Sequence, residues 1–192
     1  MSTRPMMTRA STLRSTVEYL DRVLDRQTRE DTLARLPAAE REIVERAPEQ
    51  EEVPYEIALH LWRAIDATLA PHDAQWMEHM GAYAIERAAD HIGDVFLHRP
   101  SPLAFITQQV PLFRLYYRPG DMVVLDHGAN HAMVRLVGFE PADPLFCRRF
   151  TGGWTAALQI TGGRDVVIRH LRCACEGDLF CEWTLRWAEG LT

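Results

Sequence analysis

The sequence predicts an α+β fold: N-terminal helices followed by a β-β-α-β-β antiparallel-sheet module. Three observations carry this. Apolar residues recur at helical spacing as far as Tyr117. After Pro119-Gly120, a strong turn signal, the period changes to two. Near the carboxyl end Gly177-Asp178 separates two strand-like runs, as the turn of a hairpin does. Helices grouped first and strands grouped later read as α+β rather than as an alternating parallel sheet.

The elements follow in order. Residues 1–10 are polar and are expected to form a disordered tail. Residues 11–52 form a helical arm. Leu13, Val17, Leu20 and Leu24 line its first helix, from Ser11 to Asp31, and Pro37 sits in the first turn of a second, Ala38 to Ala47. Residues 53–192 form the main domain. Its first helix, Tyr55 to Ala70, carries Ile57, Leu61, Ile65 and Leu69 and stops at Pro71. Asp73 caps the next, running to about Leu97, whose glycines and alanines allow close helix approach. Leu103 to Tyr117 is a further helix that Pro111 can kink. Strands follow at Met122–His127 and His131–Phe139, then a helix from Leu145 to Ile160, then a hairpin of Val166–Cys175 and Cys181–Trp187.

Composition narrows the function classes. A net charge of −6 argues against a nucleic-acid face of the usual basic kind. All 21 basic residues are arginine, so lysine-based Schiff-base chemistry has no residue to run on. No run of 18 apolar residues offers a membrane span, and the polar N-terminus is not a secretory signal. The expected location is cytoplasmic. No nucleophile elbow, phosphate loop, HExxH or dinucleotide fingerprint is present, so no enzyme activity is expected.

The densest chemistry lies near the carboxyl end. His170 precedes Cys173 by three residues, Cys181 follows it by eight, and Cys147 precedes it by 26. Thiolates and an imidazole brought together can hold a divalent metal tetrahedrally, as zinc takes S and N ligands. Cys147 falls at a helix start, where the dipole favours thiolate. His170 and Cys173 face opposite sides of a regular strand, so a bulge or a strand end is needed between them. Cys175 shares a face with Cys173 and is a substitute fourth ligand. The plainer reading is four buried, reduced thiols.

The segment Cys173-x-x-x-Gly177-Asp178-x-x-Cys181-Glu182-Trp183, after the helix holding Gly153-Trp154, resembles the V4R (4-vinyl reductase) domain. That family shares a superfamily with heme nitric-oxide-binding domains and TRAPP-like trafficking subunits. The chain is also similar to short stand-alone proteins of soil bacteria such as myxobacteria. In V4R sensory domains of phenol- and toluene-responsive activators, Cys, Glu, Cys and Cys hold zinc. The resemblance lays these ligands on Cys147, His170, Cys173 and Cys181, with His in place of Glu. It implies a structural zinc in a non-catalytic, homodimeric module that senses a small apolar or aromatic ligand and signals through a downstream protein. Trp62, Trp76, Tyr83, Phe105, Phe113, Tyr116 and Trp154 are the aromatic residues that could line such a pocket, if they are not simply core. The alternative is a scaffold or adaptor of the same fold with a filled core. A heme-based gas sensor is the lesser alternative. Its relatives clamp heme with Tyr-x-Ser-x-Arg, whereas Leu115-Tyr116-Tyr117-Arg118-Pro119 lacks the serine and the spaced arginine. His91 and His98 lie near where an axial ligand would sit, but heme is not expected on this reading.

Overall fold

The computed structural model describes residues 5–91 and 101–189, which fall into two compact units. Unit 1 is Met1–Trp76 with Leu115–Pro119; unit 2 is Met77–Arg114 with Gly120–Thr192.

Unit 1 holds helices α1 (Ala10–Val23), α2 (Arg26–Leu33), α3 (Ala38–Arg46) and α4 (Tyr55–Leu69). The sequence reads α1 and α2 as one helix, but Asp25 divides them. Its carboxylate accepts from Thr28 N at 3.0 Å and so starts a second helix. Residues 7–9 are not a disordered tail. Strand β1 (Met7–Arg9) pairs antiparallel with both β2 (Glu52–Pro54) and β3 (Tyr117–Arg118), and these pairings order it. This small sheet has no sequence signal, because strands of two and three residues are too short to show a period. The expected helix through Tyr117 gives way to a 3₁₀ turn at Val110–Leu115 and then to β3. Leu13, Leu20, Leu33, Leu61, Trp62 and Ile65 form the core. Trp62 Nε1 donates to Thr16 Oγ1 at 3.3 Å, and Trp76 Nε1 donates to Asp66 Oδ1 at 2.8 Å, so both indoles are satisfied where they are buried.

Unit 2 contains helix α5 (Trp76–His91) from Met77 onward, α6 (Pro102–Gln109), α7 (Pro144–Ile160) and strands β4 (Asp121–Gly128), β5 (His131–Val137), β6 (Gly163–Arg172) and β7 (Glu182–Glu189). The expected run of α5 past His91, to Leu97, lies outside the described residues. The four strands form one antiparallel sheet in the order β4-β5-β7-β6. Alternate residues turn inward toward α7: Ala132, Val134 and Leu136 from β5, and Trp183, Leu185 and Trp187 from β7. Phe139, Phe146 and Phe150 pack in series, the first pair stacked at 5.0 Å and the second tilted at 4.6 Å between centroids. Helices α5 and α7 touch backbone to backbone. A Cβ at Gly81 would lie 2.0 Å from Arg149 O, and one at Gly152 would lie 1.9 Å from Glu78 O. Arg148 clamps the same contact through two bonds to the Glu78 carboxylate, at 2.9 and 2.7 Å. No helix among the described residues is long and apolar enough to cross a membrane.

Candidate metal centre

Three segments of unit 2 bring four side chains together. Asp143 N-caps α7 by accepting from Leu145 N at 3.0 Å, and Pro144 follows at the first helical position. This fixes Cys147 in the first turn, where it is 2% exposed. His170 comes from β6. Its ring stacks on Trp183 at 4.6 Å and 17°, and Trp183 Nε1 donates to Thr151 Oγ1 of α7 at 3.3 Å. Past His170 the ladder shifts register before Arg172, the irregularity that the spacing requires if His170 and Cys173 are to share a face.

The chain then folds into a tight knuckle. Cys173 O accepts from Glu176 N at 3.0 Å and from Asp178 N at 3.1 Å. Cys173 N donates to Asp178 Oδ2 at 2.8 Å. Gly177 turns the chain at φ 101°, a left-handed value natural to glycine. Ala174 N donates to Cys181 Sγ at 3.3 Å, and Cys181 O accepts from Leu136 N of β5 at 2.9 Å.

The result is one cluster. The ligand atoms of Cys147, His170, Cys173 and Cys181 all lie within 4.8 Å of one another. Cys147 Sγ is 3.5 Å from Cys181 Sγ and 4.0 Å from Cys173 Sγ. A metal–sulfur bond of about 2.3 Å sets tetrahedral S···S edges of about 3.8 Å, between these two values. Both separations are far beyond a disulfide bond of about 2.05 Å, and all four cysteines are free. His170 Nε2 is buried with no hydrogen-bond partner among the described residues, a cost that a metal bond would remove.

The electrostatics agree. Cys181 is held down to about 5, chiefly by the hydrogen bond with Cys147, with the His170 imidazole and the Ala174 N–H adding and burial opposing. Cys147 is pushed far up by that same bond and by burial. Burial also raises Cys173. A bound cation would offset the burial that opposes the thiolate forms of Cys147 and Cys173. Cys175 is half-buried and stands outside the set of four; burial lifts its thiol to about 12. The sequence reading missed Asp178, Trp183 and the Ala174 N–H as supports. Only the Gly-Asp turn signalled the first.

The seven aromatic candidates divide between the units. Trp62, Trp76 and Tyr116 belong to unit 1; Tyr83, Phe105, Phe113 and Trp154 belong to unit 2. Tyr116 is 41% exposed, while Phe105, Phe113 and Trp154 are buried. Trp154 Nε1 has no hydrogen-bond partner among the described residues.

No family model matches the chain, and no curated protein does. Solved structures do. An H-NOX protein from S. oneidensis in the Fe(II) ligation state aligns at TM-score 0.74 and 13% identity, over 96% of this chain and 98% of that one. The Fe(II)NO state from S. oneidensis gives 0.72 and 12%, over 94% and 99%. The unliganded Fe(II) H-NOX protein from K. algicida gives 0.72 and 10%, over 96% and 98%. The fold is therefore mixed α+β and H-NOX-like. The assignment to the V4R family is corrected accordingly. It rested on a motif of the closing hairpin, a local feature, whereas this likeness runs the length of the chain. The functional reading built on that family, a zinc-stabilised module without heme, falls with it, and so does the expectation against heme, because these neighbours are proteins described by their iron ligation state.

Proposed function

We propose that this chain is a sensory domain that binds heme and, through its iron, a small gas. One observation supports this above the others: near-complete coverage by H-NOX proteins solved in Fe(II) and Fe(II)NO states. The residues fit in their donor type. Heme iron accepts a histidine on its proximal side. Helix α5 is described as far as His91, and His98 follows seven residues later in the sequence, outside the described residues. One of these two imidazoles would hold the group, and the heme would supply the gas-binding iron. The chain departs from the family's Tyr-x-Ser-x-Arg pattern, since Arg118 pairs with Glu52 at 2.9 Å and Tyr117 packs edge-on against Tyr55 at 6.1 Å. Other groups would meet the propionates.

The Cys147, His170, Cys173 and Cys181 set would hold a separate divalent ion that pins the β6–β7 hairpin to α7. Four free cysteines suit a reducing compartment, which supports a cytoplasmic setting. The chain would act without catalysis, by contact with another protein.

The test is an absorption spectrum of protein produced with a heme supply. The expected result is about one heme per chain, a Soret band that moves on adding nitric oxide, and loss of the band in His91→Ala or His98→Ala. A folded protein that takes up no heme overturns this reading. It would leave a second, the adaptor with a filled core, which the Phe139–Phe146–Phe150 series favours.

A further inference from the structure

Helix α7 meets two neighbours with the same two turns. Cys147 and Thr151, four residues apart, lie on one stripe toward the metal centre. Thr151 Oγ1 donates to Cys147 O at 3.0 Å and accepts from the indole of Trp183, on which His170 stacks. Two of the four ligands therefore bear on these turns, Cys147 directly and His170 through Trp183. Arg148 and Gly152, also four apart, lie on a second stripe toward α5. The Arg148 guanidinium makes paired bonds to the Glu78 carboxylate, a geometry that fixes orientation as well as distance. Beside it the two backbones are in contact, Gly152 against Glu78 and Gly81 against Arg149. No side chain of these glycines stands between the helices to absorb a shift, so movement at the start of α7 is passed to α5.

We infer that the metal centre is coupled to α5: an ion held by Cys147, His170, Cys173 and Cys181 orders the first two turns of α7, and Arg148, a positioning residue, carries that order to Glu78. This rests on the metal reading of the four side chains and not on heme. The two states differ in a simple way. The first turn of a helix has backbone N–H groups with no partner inside the helix. In α7 the Asp143 carboxylate satisfies one of them, that of Leu145, and a bound ion would add a second anchor through Cys147. Without the ion that turn opens more readily, and Arg148, one residue on, loses the fixed base from which it reaches Glu78. The coupling is reciprocal: a clamp that the ion tightens must in turn tighten the ion. Helix α5 is described as far as His91, one of the two imidazoles offered to heme above. Where His91 holds heme, the ion would bear on that iron as a consequence, not as a premise.

The test is amide exchange read by mass spectrometry on the full chain, loaded with Zn²⁺ and then stripped by a chelator. Stripping should speed exchange about five-fold or more in the first two turns of α7 and also in α5. In R148Q and in E78Q the start of α7 should still respond to zinc, whereas α5 should no longer do so. R41Q cuts a pair of similar exposure on α3, Arg41 with Glu45 at 2.9 Å, and should leave the response of α5 intact. Reciprocity gives a second measurement, which serves even where the stripped protein unfolds. R148Q, which alters no ligand, should weaken zinc binding about five-fold or more in competition with a chelator, and R41Q should not. An α5 that exchanges at one rate with and without zinc, an α5 that still responds in R148Q, or equal zinc affinity in R148Q and wild type overturns the coupling while leaving the metal centre in place. A folded chain that retains no zinc by elemental analysis overturns the metal reading itself, and the coupling with it.

Discussion

Cys147 Sγ and Cys181 Sγ stand 3.5 Å apart, one at the start of α7 and the other at the mouth of β7. Two sulfurs at that distance are too far for a disulfide and well placed for a shared cation. Protein purified without chelator should therefore carry about one divalent ion per chain, measured by elemental analysis. Cys147→Ser or Cys181→Ser should abolish retention of the ion through gel filtration, whereas Cys175→Ser should keep it. Stripping the ion should cost about 3 kcal/mol, which for a chain of this size lowers the melting midpoint by about 6–12 °C. Metal-free protein with an unchanged melting curve would count against the site.

The contact between α5 and α7 gives a sharper steric test. Gly152→Ala would drive a methyl into Glu78 O, and Gly81→Ala would do the same at Arg149 O, so neither can be absorbed by a side-chain shift. Each should destabilise by about 3 kcal/mol in urea denaturation. Gly153→Ala is the internal control. Its nearest neighbour is the Ile85 Cγ1 at 3.4 Å, so the ordinary helix gain of about 0.5–1 kcal/mol should survive.

What the sequence discloses follows from the range over which each signal acts. Helix α4 is expected from Tyr55 to Ala70 and runs from Tyr55 to Leu69, because the apolar stripe and Pro71 are both local. That Cys147, His170, Cys173 and Cys181 come together was legible from spacing and resemblance, and the register shift after His170 was required by parity alone. Strand β1 was not legible. Its partners, β2 and β3, lie about 45 and 110 residues away, and nothing in Met7–Arg9 announces them. The family was misread for the same reason. A cysteine knuckle is read from ten residues, while an H-NOX-like fold at 13% identity is visible only in three dimensions.

Asp25 makes a pH prediction for unit 1. Its carboxyl is held below the usual range, first by the Thr28 hydroxyl at 2.6 Å and then by the Thr28 N–H. A depressed folded value means that the carboxylate stabilises the fold above its unfolded pKa of about 3.9 and loses that effect as pH falls through the folded value. The melting difference between wild type and Asp25→Ala should thus be constant above about pH 5 and shrink below about pH 4. Asp25→Asn, which keeps an acceptor but cannot ionise, should show no such slope in this window.

Glu182 tests whether the sheet is held by charge or by shape. Both Arg135 Nε and Nη2 donate to its Oε2, at 2.8 and 2.6 Å, and its side chain is 7% exposed against 32% for Arg135. Removing Arg135 leaves a nearly buried carboxylate with only the looser Arg172, whose Nε stands 4.0 Å from its Oε1; removing the carboxylate leaves a cation that still reaches water. Arg135→Leu should accordingly cost more than Glu182→Gln, about 3 against about 1–2 kcal/mol, with the half-exposed arginine discounted for solvent screening. The double variant Arg135→Leu with Glu182→Leu should recover much of the loss, because two packed aliphatic side chains replace a pair whose desolvation offsets its attraction. A double-mutant cycle in urea measures this directly. A cycle that closes additively, with no coupling between the two positions, would show that the pair contributes packing alone.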